Sequence, residues 1–118
     1  ATLTTYVSDD PPELKMPPRR AIVVCPGGGY HFLSEREAEP IVKLYLAAGL
    51  NVFLLRYTVG AGAANYAPLI QAALAIKHVR ENAEEYNVDP NYVFITGFSA
   101  GGHLSATMCA PADPVQHR

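Results

Sequence analysis

The segment Tyr92-Val93-Phe94-Ile95-Thr96-Gly97-Phe98-Ser99-Ala100-Gly101 decides the fold. Five strand-forming residues run without a break into Gly97, and a helix is expected to carry on to about Ala110, stopped by Pro111 and Pro114. Gly97 to Gly101 fits G-x-S-x-G, the pattern of a strand that reverses into a helix about a single serine. Such a reversal forces the serine into a strained backbone conformation. Glycines on either side let helix and strand approach without clashing Cβ atoms. The Ser99 Oγ is then expected above the sheet, at a helix N-terminus whose unpaired N–H groups contribute roughly half a positive charge. With Gly and Ser at ~7% each, chance supplies the pattern in only about 0.04 of chains this long. Here it also falls where a buried strand meets a helix, which is the context it requires.

Working outward, strands and helices alternate. Ala21-Ile22-Val23-Val24-Cys25 is apolar throughout and stops at Pro26-Gly27-Gly28-Gly29, the mark of a strand buried on both faces. Ser34 and Glu37 have capping-box spacing, so a helix starts there or a few residues later, with Pro40 in its first turn. Ile41, Leu44, Tyr45 and Ala48 recur at helical spacing, and Gly49 follows as a left-handed terminator. Asn51 to Tyr57 reads as the next strand and Thr58 to Ala67 as a loop. A second helix begins near Pro68, with an apolar face of Leu69, Ala72, Ala73, Ile76 and Ala83 and with His78 on the opposite side. Tyr86 to Asn91 is a turn, and Tyr92 to Thr96 is a further buried strand. A leading strand, Leu3 to Val7, is joined to the rest by a turn-rich connection, and that first connection is compatible with a hairpin. The fold class is therefore α/β: one mostly parallel sheet of about four strands, with three helices distributed over both faces by right-handed crossovers.

Composition narrows the partners. The chain has 118 residues, 49% apolar and 17% charged, with a formal net charge of -2. That balance is globular and offers neither a basic patch for nucleic acid nor a charged block for a membrane surface. The longest apolar run is far short of the ~20 residues a membrane span needs. Cys25 and Cys109 read as buried thiols rather than a disulfide framework. No His/Cys/Asp cluster has ligand spacing, so neither a metal nor a cofactor is expected. No signal peptide opens the sequence, which favours a cytoplasmic setting, although Ala1 is not a methionine.

The glycines after Cys25 lie at the carboxyl end of their strand, on the rim where α/β sheets form binding crevices and where Ser99 is expected. Consecutive glycines can aim backbone N–H groups inward, the requirement for holding the oxyanion of a tetrahedral intermediate. Gly28 and Gly29 are the expected donors, with the Ala100 N–H completing the hole. A dinucleotide loop fails on spacing, because the third glycine of G-x-G-x-x-G would fall on Phe32, and no G-K-[ST] makes a P-loop. Tyr30, His31 and Tyr66 sit on loops facing the same rim and are candidate pocket-lining residues.

Four segments together resemble a family: Cys25-Pro-Gly-Gly-Gly-Tyr30, Ser34-Glu-Arg-Glu-Ala-Glu-Pro40, Leu54-Leu-Arg-Tyr57 and Gly97-Phe-Ser-Ala-Gly-Gly-His-Leu104. They are similar to α/β-hydrolase esterases of the acetyl-esterase and acetylxylan-esterase-like type, cousins of the hormone-sensitive-lipase branch. The oxyanion loop of that branch reads HGGG, and Pro26 stands here in place of its histidine. The resemblance runs from about Leu3 to about Ala110. It implies a partial α/β-hydrolase fold, Ser99 as nucleophile, and Gly28, Gly29 and Ala100 as the oxyanion hole. The implied reaction is hydrolysis of a small acyl ester, such as an acetyl ester of a carbohydrate, through an acyl-enzyme.

A serine nucleophile also needs a histidine base and an orienting acid, in the order Ser, Asp or Glu, His in this superfamily. Beyond Ser99 the candidates are His103, Asp113 and His117. His103 is one turn along the expected helix and suits a packing role. Asp113 and His117 fall in a breaker-rich tail rather than after later strands. The chain is therefore expected to be the N-terminal part of one hydrolase domain, inactive or nearly so alone, with its base and acid beyond residue 118. Two other readings differ in kind. One is a small Rossmann-like or flavodoxin-like module whose glycine loop holds an anion; the other is a non-catalytic hydrolase relative.

Overall fold

A computed structural model describes residues 1–8, 13, 16–27, 33–60 and 67–97. Four strands form one sheet: β1 (Thr2–Tyr6), β2 (Arg19–Cys25), β3 (Asn51–Arg56) and β4 (Val88–Gly97). The helices are α1 (Glu39–Ala47), α2 (Ala67–Glu81) and the single turn α3 (Ala83–Tyr86). The spatial order is β1-β3-β2-β4. β2 runs parallel to both β3 and β4, whereas β1 is antiparallel to β3. The leading strand thus makes no hairpin with β2; it crosses to the outer edge of β3, where Leu3 opposes Leu55 and Thr5 opposes Phe53. The helix expected after Gly101 lies outside the described residues.

The two-residue period of a strand explains how one continuous apolar run serves two cores. Ala21, Val23 and Cys25 of β2 point to one face, with Phe53 and Leu55 of β3, and are covered by Ala72, Ala75 and Val79 of α2. Ile22 and Val24 point to the other face, with Val52 and Leu54, and are covered by Ala38 and Val42 at the start of α1. β2→α1→β3 moves one way across the sheet and β3→α2→β4 moves back over β2 the other way, so equal handedness puts the two helices on opposite faces.

Both helices expose residues that their spacing placed in the core. In α1 the buried residue is Val42, and Leu44 is 66% exposed. In α2 the buried stripe is Pro68, Ala72, Ala75 and Val79, with Leu69 and Ile76 packed at its margin and Ala73 exposed. That stripe is centred on Ala72, Ala75 and Val79 rather than on Leu69, so Ile70 and Leu74, on the opposite side of the helix, face outward. His78 is exposed, as its spacing requires. β4 also differs from the expectation of a strand buried on both faces. Val93 and Ile95 pack toward α2, but Tyr92 and Phe94 are 44% and 45% exposed. The strand starts four residues early, at Val88, with an irregularity in its pairing to β2 between Arg19 and Ala21.

The helix termini carry the local logic. Pro40 lies in the first turn of α1, where its missing N–H costs little. At the other end, Gly49 has φ of +92° and donates its N–H to Leu46, while Leu50 donates to Tyr45. This is a Schellman stop, which a residue with a Cβ adopts only at a cost. Asn51 is buried and polar, and both ends of its amide are used: Oδ1 accepts the Ser8 N–H at 3.2 Å and Nδ2 donates to the Tyr86 carbonyl at 2.9 Å. Beside β1, the Tyr6 hydroxyl donates to Glu39 Oε1 at 3.1 Å. Partial burial, and then that bond and the Glu39 charge, raise the Tyr6 hydroxyl above the usual phenol range. Among the described residues, no helix is long and apolar enough to cross a membrane.

This packing predicts a sharp contrast in chemical denaturation. Phe53→Ala, which empties a fully buried site touching the Tyr86 ring, is expected to destabilise the chain by about 3–5 kcal/mol. Leu44→Ala is expected to change stability by less than about 0.5 kcal/mol. Similar losses at the two positions would show that the core is placed wrongly.

Candidate active site

β2, β3 and β4 lie side by side and parallel, so all three carboxyl ends open on one rim. Cys25 is the direct partner of Gly97 in the β2–β4 ladder. Neighbouring strands are about 4.8 Å apart. The chain therefore enters the glycine run and the G-x-S-x-G turn from adjacent points on one edge. Gly27 is two residues past Cys25, and Ser99 is two residues past Gly97. The proposed site residues Gly28, Gly29, Tyr30, His31, Tyr66, Ser99 and Ala100 lie outside the described residues, as do His103, Asp113 and His117. The structure thus brings together the strand ends that lead into the two motifs.

What it describes in full is the base of the glycine loop. Pro26 and Gly27 are buried, so their backbone groups need partners. The Pro26 carbonyl accepts the hydroxyl of Tyr57, itself buried just beyond β3. The Gly27 N–H donates to Glu37 Oε1 at 3.2 Å. The Gly27 carbonyl accepts the Ser34 N–H at 2.8 Å. These contacts come from the parallel neighbour strand and from the far side of the loop, so the segment is held from two directions.

They also explain why the capping box at Ser34 is not formed. Ser34 makes no side-chain cap, and the chain passes through one 3-10 turn, Glu35–Glu37, before α1 begins at Glu39. A box needs the Glu37 carboxylate to reach back to the Ser34 N–H. Here that carboxylate is on Gly27 N–H, and the Ser34 N–H is on Gly27 carbonyl. Both partners of the expected local cap are used across the loop instead. Sequence reasoning missed Glu37 and Tyr57 as parts of the site. The available signal was their place in the segments Ser34 to Pro40 and Leu54 to Tyr57, which carry the family resemblance.

The loop after β3 is anchored in a similar way. Gln71 of α2 accepts the Thr58 N–H at 2.7 Å and donates through Nε2 to Thr58 Oγ1 at 2.5 Å. The segment leading toward Tyr66 thus leaves the rim from a fixed point. His78 takes no part: it bonds the Tyr86 hydroxyl at 2.8 Å, just ahead of β4. The ten residues of β4 separate that end from Gly97, roughly 30 Å at about 3.3 Å per residue. No group of three or more His, Cys, Asp or Glu that could hold a metal occurs among the described residues.

Comparison with known proteins identifies relatives of the chain. A family model described as BD-FAE matches residues 10–115. The chain is 38% identical over 93 residues to the acetylxylan esterase of Xylanibacter ruminicola, a match covering 78% of this chain and 19% of that protein. It is 33% identical over 101 residues to endo-1,4-beta-xylanase B of Butyrivibrio fibrisolvens, covering 83% and 16% respectively. Among solved structures, an alpha/beta hydrolase enzyme from a Medee basin deep-sea metagenome library superposes with a TM-score of 0.88 at 45% identity. That match covers 92% of this chain and 46% of that one. The chain therefore spans under a quarter of these two curated relatives and under half of the solved structure.

The Gln71 anchor has a direct readout in hydrogen exchange. Gln71→Ala is expected to speed exchange of the Thr58 amide by roughly 5- to 10-fold, the loss of about 1 kcal/mol of hydrogen bonding. The amides of β2 should keep their protection. An unchanged Thr58 amide would mean that Gln71 does not anchor the loop.

Proposed function

The chain belongs to the BD-FAE family, and from that premise we propose that it carries the nucleophile and oxyanion hole of a serine carboxylic-ester hydrolase. Its sheet and helices are part of an α/β-hydrolase fold. The observation that carries the proposal is the pairing of Cys25 with Gly97, which starts the glycine run and the serine turn from neighbouring strand ends.

In the proposed reaction the Ser99 Oγ attacks the ester carbonyl carbon. The carbonyl oxygen becomes an oxyanion held by the N–H groups of Gly28, Gly29 and Ala100. Collapse of the tetrahedral intermediate breaks the bond to the alcohol oxygen, which leaves with a proton, and the acyl group remains on Ser99. Water then attacks the acyl-enzyme, releasing the carboxylic acid and returning the proton to the serine. A histidine must take and return these protons, and an acid must orient it. We place both in sequence beyond residue 118, consistent with the share of the solved hydrolase that the chain covers. The proposed substrate is a small acyl ester, in particular an acetyl ester of a carbohydrate. Similarity to the acetylxylan esterase supports that choice. Tyr30, His31 and Tyr66 are the proposed lining of its pocket.

In the active protein, a fluorophosphonate is expected to add to the peptide containing Ser99. Ser99→Ala should abolish both that adduct and the hydrolysis of p-nitrophenyl acetate, leaving at most the residual catalysis of an intact oxyanion hole. Labelling at another residue, or wild-type turnover by Ser99→Ala, would refute the assignment.

A further inference from the structure

We propose that Glu37 and Tyr57 form a two-ended clamp on the Pro26–Gly27 peptide that positions the amides of Gly28 and Gly29 to receive the oxyanion. The inference rests on the reading of those glycines as oxyanion donors. It gives the run of glycines, the most permissive residues in the chain, a fixed peptide to start from.

The Pro26 carbonyl and the Gly27 N–H belong to a single peptide unit. Tyr57 donates to the first and Glu37 accepts from the second. A planar trans peptide directs these two groups oppositely, and no described peptide bond is cis. Two bonds at opposite ends of one plane remove its freedom to rotate about the chain axis. The next unit begins with the Gly27 carbonyl, held by the Ser34 N–H at 2.8 Å. Its other polar group is the amide that leads the donor run. Fixing that carbonyl therefore constrains the first donor through the same planarity. Glycine contributes no Cβ to limit φ and ψ, so the external bonds supply the order that side chains supply elsewhere. Oxyanion stabilisation depends on donors aligned before the charge develops, and a misplacement of about 1 Å can cost 10²-fold in rate.

The two clamp residues are themselves held. Tyr57 is buried just beyond β3. Glu37 closes the 3-10 turn whose neighbour Glu35 pairs with Arg56 of β3 at 3.7 Å. Arg56 in turn donates to Thr4 Oγ1 of β1 at 3.2 Å. The loop base is thus tied to the strand beside β2 through both arms of the clamp. Neither Glu37 nor Tyr57 is assigned contact with substrate; both act through the backbone.

The test is steady-state hydrolysis of p-nitrophenyl acetate by the active protein carrying Glu37→Ala, Glu37→Gln, Tyr57→Phe and the Glu37→Ala/Tyr57→Phe pair, with Ser99→Ala as control. Glu37→Ala and Tyr57→Phe should each lower kcat about 10- to 100-fold with KM within about two-fold, because the ground-state ester uses the hole little. Glu37→Gln keeps an acceptor for the Gly27 N–H and should recover most of the rate. The pair should lose less than the product of the single losses, since both act on one peptide. Wild-type kcat in both single variants overturns the clamp. So does a loss that Gln fails to rescue, or a loss shared equally between kcat and KM with a lowered melting temperature. If Ser99→Ala keeps wild-type turnover, the assignment of Ser99 as nucleophile, on which the clamp rests, itself fails. If Ser99→Ala is dead while the clamp variants turn over normally, only the clamp fails.

Discussion

The parallel pairing of β2 with β4 is the constraint on which the rest of the structure depends. Its register sets Cys25 opposite Gly97, and two loops of unrelated sequence leave the sheet side by side. Parallel strands cannot be joined by a tight turn, and here the intervening chain travels out over one face to β3 and back over the other. α1 and α2 are those two passages. Their buried faces are small, with Ala38 and Val42 on one side and Ala72, Ala75 and Val79 on the other. Small residues keep both helices close to a strand that is apolar on both sides.

The loop base shows a second level of order. Local capping and long-range clamping compete for the same atoms around Ser34 and Glu37. The long-range arrangement prevails because Gly27 is buried and its N–H has no strand partner past the end of β2. An unpaired buried amide costs about 1–3 kcal/mol, while a helix cap contributes about 1 kcal/mol. Once Glu37 is committed to Gly27, α1 starts later, and Pro40 supplies the preorganised first turn. The proposed oxyanion loop and the start of the first helix are therefore set by one decision.

Much of this was legible in the sequence. Two-sided burial of β2 and β3, the alternation of strands and helices, the terminating role of Gly49 and the exposure of His78 all follow from apolar runs, breakers and spacing. What was not legible has a common physical character. The exposure of Leu44 and Ala73 depends on how each helix is rolled about its axis against the sheet, which short-range spacing does not fix. The position of β1 beyond β3 depends on long-range pairing, and its own alternation fits either edge. The roles of Glu37 and Tyr57 depend on a buried peptide ten and 31 residues away, beyond the reach of local patterns, so their residue types suggested only a cap and a strand end. The reading of Ser99, Gly28, Gly29 and Ala100 rests on motif and on the strand ends beneath them.

The most direct test is a crystal structure of the active protein after reaction with an organophosphonate that mimics the tetrahedral intermediate. Phosphorus is expected bonded to the Ser99 Oγ, with its oxyanion oxygen about 2.7–3.1 Å from the amide nitrogens of Gly28, Gly29 or Ala100. The Gly27 N–H should remain on Glu37. A phosphonate bonded elsewhere, or bonded to Ser99 with that oxygen turned to solvent, would contradict these assignments.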